Sequence, residues 1–408
     1  MEILNRASAL APFTPLLLPR VTDSTGYGPF IYAAAFFIIF FAQVGSLKLT
    51  PASLLSLFSS VAILLVATIG SILQGYPVDH RALLFAGTLL LLASIKPNIR
   101  LAHSLYGFMV FSVIVAIPMS LSGPGNFLTP PSTYPVFGFE RITFFFHEPS
   151  HYSIALSLAF GIGITLSKSR ATQIILLLGV IATFSGSGVI ALAAVFFLNT
   201  NWSSHSLKHL LYGLSLLLGS ILLLQLLFRY DPDGIISTRV NQIITGLATG
   251  FDYSSTGVRI ASTLAGIRFI FEAFLNSDIS SILLGVGFEG LPNFVATYYS
   301  EFFAKEIDNP MIFNFLSAAV ISGGALSLIF YLLALNNIRK INEIGALRWL
   351  LLLVFLSLTH GYLYGPLAFI FIIFGGFSIS SIRDESTRCL VAKLRISRQR
   401  SPALEAPQ

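Results

Sequence analysis

Apolar residues run along this chain in long blocks separated by short polar joints. The blocks lie at about 29–47, 52–74, 82–95 and 101–121, then at 151–167, 171–201, 210–228, 311–335 and 349–382. No soluble core absorbs so many uninterrupted runs. In hydrocarbon, where no water satisfies the backbone, each run must close its hydrogen bonds within itself, which makes it a helix. The pattern predicts one all-α polytopic membrane domain over residues 1–408.

Two blocks exceed one ordinary crossing. Ala171–Asn201 contains Ser185-Gly186-Ser187-Gly188 and is expected to split there into two short helices; Trp349–Ile382 is interrupted at HGYLYGP and makes two more. The expected count is about 11 spans (10–12), with residues 1–28 forming a surface or half-inserted segment. Glycines and prolines in GPGN and TPPSTYP forbid a continuous helix across 122–150, the first outer loop. Residues 229–310 carry charges of both signs and no span-length run, and are expected to form a large outer loop or cap. Within it, Ile260, Leu264, Ile267 and Phe271 recur at helical spacing, predicting an amphipathic helix packed on the bundle or lying at the membrane interface.

Composition agrees: 55% of residues are hydrophobic and 10% charged, and the mean hydropathy is +0.81. The net charge of +6 would suggest nucleic acid in a soluble protein. In a membrane protein it reads as topology instead, because lysine and arginine collect in cytoplasmic joints. With the basic tail, 383–408, in the cytoplasm, counting backwards places Arg339, Lys340, Arg348, Lys208, Lys168, Arg170, Lys96, Arg100 and Lys48 inside. The N-terminus and both unusual loops then face outwards. The single cysteine, Cys389, excludes an intramolecular disulfide and a cysteine-based metal site, and no metal or cofactor is expected.

Candidate chemistry concentrates in RITFFFHEPS, Arg141–Ser150, with His151 behind it. Pro149 suits the first position of a helix and pushes Glu148 towards an extended conformation. Glu148 then either caps the span through the helix dipole or, between His147 and His151, acts as a base towards a hydroxyl substrate. Arg141 is suited to hold a phosphate at the same surface. On the amphipathic helix, Arg268 and Glu272 are four apart and fit a structural pair; Arg259 has no partner at i+4 and is the better ligand for an anion. Asp308 can neutralise an arginine or hold a substrate hydroxyl, while Asn309 and Pro310 suit a helix start. His360 lies in an outer turn with Tyr362 and Tyr364. Gly285, Gly287 and Gly290 match GxGxxG, but without a preceding strand or βαβ unit they read as a tight turn.

Taken together these features resemble the superfamily of O-antigen polymerases (Wzy-type) and O-antigen ligases. The resemblance rests on Arg141 followed by Phe146, Glu148, Pro149 and Ser150, the serine-glycine break, TGVR with Arg259, LLGVGFEG, and a span entered through Asp308-Asn309 with ISGG at Ile321–Gly324. It covers residues 141–335. It implies a metal-independent glycosyltransferase in the bacterial inner membrane that takes a glycan from undecaprenyl pyrophosphate at the outer face. The glycan would pass to a sugar hydroxyl, Arg141 and Arg259 serving the pyrophosphate and Glu148 acting as base or positioning the acceptor. The substrate-binding set extends to Arg268, Asp308, Asn309 and His360. Ligases in this superfamily resemble one another in a histidine before that asparagine; here Asp308 holds the position, which favours a polymerase and leaves Glu148, His147 or His151 as the base. The partners implied are an undecaprenyl-pyrophosphate-linked oligosaccharide, the bilayer, and a chain-length regulator and flippase of the same pathway. A ligase or related glycan transferase is the alternative; a transporter or flippase is a second, although the charges sit almost wholly at span ends and in outer loops.

Overall fold

The computed structural model describes residues 51–76, 99–121, 141–142, 144, 149–183, 185–199, 255–307, 312–341, 344–359 and 374–375. Within these residues all regular structure is helical: α1 Pro51–Leu73, α2 Ile99–Leu121, α3 Pro149–Thr165, α4 Arg170–Ala182, α5 Gly186–Asn199, α6 Ser255–Leu275, α7 Ile279–Leu284, α8 Gly287–Phe303, α9 Phe315–Ile341 and α10 Ala346–Thr359. Among the described residues three segments are, by length and composition, apolar enough to cross a membrane: Leu54–Leu73, Ala102–Leu121 and Phe315–Lys340, the last of which is interrupted at Gly324. The described residues are thus all-helical, with the apolar segments of a membrane protein.

The expected count of about 11 spans is not what these residues carry. Helices α4 and α5, each read from sequence as a crossing, have 13 and 14 residues. At 1.5 Å per residue they are about 20 Å long, against a hydrocarbon core of about 30 Å. The runs 29–47, 82–95 and 210–228 lie outside the described residues, as do 360–373.

Contacts at both ends of α3 fix the direction of its neighbours. Near its C-terminus, Gly163 lies against the ring of Tyr106, whose hydroxyl donates to Thr172 Oγ1 at 2.7 Å. Near its N-terminus, Tyr152 and Ser112 share a 2.7 Å hydrogen bond, so α2 runs antiparallel to α3. Helix α4 also opposes α3: Gln173 Nε2 reaches the Gly163 carbonyl at 3.5 Å, while Gly179 lies against Leu156 of α3 and Val113 of α2. Helix α5 runs with α3, since Ser157 Oγ donates to the Gly188 carbonyl and Asn199 Nδ2 to the Gly161 carbonyl. The serine-glycine break expected between α4 and α5 is thus a reversal of direction. A Cβ on Gly188 would sit 2.6 Å from that of Ser153, so glycine there lets the two backbones meet.

Helix α9 is not the straight crossing expected at 311–335. Sixteen residues of continuous helix would separate Phe315 from Tyr331 by about 24 Å, yet their rings meet at a tilt with centroids 5.8 Å apart. The helix folds back at Gly324, whose φ of 62° and ψ of −164° are closed to other residues. Its first half, 315–323, is a short arm. The second half, 325–341, runs antiparallel to α1, with Phe58 edge-on to Phe330 and Gly323 opposite Val66.

A backbone junction fills the bend. The Val286 amide donates to the Ile321 carbonyl at 2.8 Å. A Cβ on Gly285 would meet the amides of Gly323 and Gly324 at 2.6 Å, and one on Gly70 of α1 would meet the Leu284 carbonyl at 2.5 Å. Three chain segments meet here without side chains between them. The GVGFEG turn is accordingly a packing element, with φ of 68° at Gly285 and 76° at Gly287. It carries no dinucleotide fold.

Helices α6 and α8 and the short arm of α9 share a second core of Val258, Ala261, Ala265, Phe269, Val295 and Tyr299. Of the two placements expected for the stripe, on the bundle or at the membrane interface, the first does not hold: Leu264, Ile267 and Phe271 point outwards, 42, 66 and 60% exposed, and Ile260 is half-buried. Small residues on the opposite face decide this: Gly266 lies against Ser317, and a Cβ would stand 2.9 Å from the Ser317 backbone.

Candidate functional site

The segment before α3 is plugged into the first core by alternate residues. Ile142 and Phe144 are both buried, and the Phe144 ring stacks on Tyr152 at 6.2 Å and meets Phe108 edge-on at 6.1 Å. Phe144 has φ of 49°, a strained conformation for a bulky residue. Its ring contacts hold the backbone there.

Arg141 precedes this plug. Its Nε donates to the carbonyl of Thr183 at 2.9 Å, at the C-terminal cap of α4. Thr183 itself is buried and its hydroxyl is spent on the Val180 carbonyl at 2.7 Å. The guanidinium thus complements the negative end of the α4 dipole and ties the approach to α3 to the α4–α5 reversal. His151 lies half-buried in the first turn of α3, at the same end, next to the buried Ser150. Pro149 opens α3, as its position predicts. Glu148 and His147 lie outside the described residues, as do Asp308, Asn309 and His360.

The opposite end of this bundle carries the basic joint. Lys168 Nζ stands 5.7 Å from the Tyr106 ring centroid, and Ser169 caps α4 by accepting from the Thr172 amide at 3.3 Å. Arg141 and the joint of Lys168 and Arg170 therefore sit at opposite ends of the α2–α5 bundle.

The other two arginines belong to α6. Arg259, half-buried, stacks over the Phe313 ring with its Cζ 4.9 Å from the centroid. Around it, Ser262 joins Tyr299 and accepts from the Phe313 amide at 3.0 Å, and Asn314 Nδ2 donates to Thr263 Oγ1 at 3.3 Å. These bonds lock the first turns of α6 to the approach of α9. Arg268 pairs with Glu272, the partner its spacing indicates, and also reaches Glu301 of α8 and the face of Tyr298. This network raises the pKa of the guanidinium, chiefly through the hydrogen bond to Glu272. The arrangement joins α6 to α8 on an exposed surface.

Sequence reasoning overlooked Ile142, Phe144 and Thr183 as the residues that position Arg141. The alternation in Arg-Ile-Thr-Phe was a signal for the first two, since alternate residues of an extended segment share one face. Thr183 left none, because its acceptor is a backbone carbonyl. Among the described residues no three His, Cys, Asp or Glu side chains lie together as a metal site would require. No family model matches the chain, and no curated protein matches it.

Proposed function

We propose that the protein is a Wzy-type polymerase of a surface polysaccharide, acting at the outer face of the bacterial inner membrane. The observation that carries the reading is Arg141, a cation held by Thr183 at the mouth of α3, at the end of the bundle away from Lys168 and Arg170. By the distribution of basic joints that end faces outwards.

In this reading the substrate is a glycan on undecaprenyl pyrophosphate. The acceptor sugar hydroxyl attacks the anomeric carbon and gives its proton to Glu148. The bond from that carbon to the pyrophosphate oxygen breaks, and the departing oxygen takes the electron pair. Arg141 and Arg259 offset the charge that develops on the pyrophosphate. Arg259, braced on Phe313, holds an orientation that a lysine would not reproduce.

The test is polymer formation by the purified protein in liposomes with the lipid-pyrophosphate-linked repeat unit. A ladder that is lost in Arg141→Ala and in Glu148→Gln, and is not restored by Arg141→Lys, is the expected result. An intact ladder in all three variants, with Arg259→Ala added, would overturn the assignment. Transfer to an added lipid A core without a ladder would make the protein a ligase.

A transporter or flippase is a second reading, favoured by one observation: α9 is a discontinuous helix, folded at Gly324, and broken helices mark substrate sites in transporters. Against it, the bend is filled by the backbone of Gly285 and Val286. Uptake or flipping of the lipid-linked substrate without polymer would support this second reading.

A further inference from the structure

We propose that α6 and α7 rest against acyl chains of the bilayer, and so form a membrane-contact surface within a segment whose charge content reads as an aqueous cap. On α6, Leu264, Ile267, Phe271, Phe274 and Leu275 are between 42 and 71% exposed. At 100° per residue they form a stripe about 100° wide along the helix, the width of a face that in a soluble protein is covered. That stripe cannot turn inwards. The opposite face, with Ala261, Ala265 and Phe269, is already buried, and Gly266 is in backbone contact with Ser317.

The occupant follows from what adjoins the stripe. Helix α7, which follows α6 directly, also exposes apolar side chains, Ile279 and Leu283 at 68 and 42%. The end of α7 then touches α1, where Leu284 approaches Gly70 and Gln74 Nε2 donates to Ser281 Oγ at 3.2 Å. Next to Gly70 on α1 lie Ile69 and Leu73, 46 and 60% exposed, on a helix long and apolar enough to cross the membrane. The outward face of α6 and α7 is therefore continuous with the lipid-facing side of a span. Charge placement agrees. Arg268 and Glu272 border the stripe on the side of α8, where they pair with each other and Arg268 pairs with Glu301, a position suited to the head-group boundary. The inference does not depend on polymerase activity.

The test uses the full chain in liposomes, with Cys389→Ser and one spin-labelled cysteine at a time, Ile267→Cys, Phe271→Cys or Phe274→Cys. Ile69→Cys is the reference for lipid. Collision with oxygen is expected to exceed collision with a water-soluble nickel chelate several-fold at all three positions, as at the reference. Collision dominated by the chelate, meaning water, would overturn the proposal. So would low collision with both, meaning cover by another segment of this chain or by a second copy. Unmodified protein gives a check free of folding effects. Irradiated with a phospholipid carrying a diazirine on its acyl chain, it should yield adducts in peptides covering 264–275 as well as in α1; adducts in α1 alone would overturn the proposal.

Discussion

Gly285 and Gly324 carry a constraint that no other residue type meets. Both have positive φ, and a Cβ on either would fall within 2.6 Å of a neighbouring backbone atom. Gly285→Ala and Gly324→Ala combine a disallowed conformation with overpacking against main chain that cannot rotate away. Each is expected to cost at least about 1–3 kcal/mol, read as a lower melting temperature in detergent. Gly107→Ala, inside α2 with nothing within 4 Å of the added carbon, should leave it unchanged or raise it slightly. The turn at Gly285 was legible in the sequence, because closely spaced glycines announce one. The fold at Gly324 was not. ISGG stands within an apolar run of span length, and hydropathy cannot distinguish a helix that continues from one that turns back. Nor could Arg141 disclose its partner, a carbonyl identified only when α4 ends beside it.

Short-range rules do better for single elements. The periodic pattern located α1, α2 and α3 to within two residues, because apolar blocks bounded by polar joints leave little choice of ends. Short α7 depends on its cap. Asp278 accepts from the Ser281 amide at 3.1 Å and from the Ser280 and Ser281 hydroxyls, and these bonds hold its carboxyl below the usual aspartate range. A carboxyl whose pKa is depressed by folding adds stability above its unfolded pKa and loses it as pH falls through the folded value. Acidification below the ordinary aspartate range should therefore weaken α7. Asp278→Ala should cost about 1 kcal/mol at neutral pH, whereas Asp278→Asn, which keeps a capping oxygen, should flatten the acid side of a melting-temperature profile. The exposed group of Arg268, Glu272 and Glu301 follows a different rule. A double-mutant cycle on Arg268→Ala and Glu301→Ala should return a coupling of about 0–1 kcal/mol that salt diminishes. What joins α6 to α8 is chiefly the buried Tyr298 and Tyr299, not these charges.

For the molecule as a whole, alternation of basic joints and the direction of helices agree over the α2–α5 bundle. Leu121 and Ser169 close opposite ends of it and both are exposed. In a Cys389→Ser background, an impermeant maleimide added to sealed right-side-out vesicles should label Leu121→Cys and spare Ser169→Cys until the membrane is opened. The reverse pattern would invert the topology and place Arg141 in the cytoplasm. Span number was the least legible feature, because counting runs presumes that each run crosses once, whereas α4, α5 and the short arm of α9 are shorter than the bilayer core.

The junction at Gly70 also has a history in time. Gln74 and Ser281, which flank it, are 207 residues apart in the chain, and Gly324 comes later still. During synthesis α1 exists long before α7 and α9 do, so its glycine-bearing side lacks both of these partners while the intervening helices are made. The bend of α9 must then be inserted against a surface already in the membrane. Assembly of this fold is consequently a late event, completed by the second half of the chain.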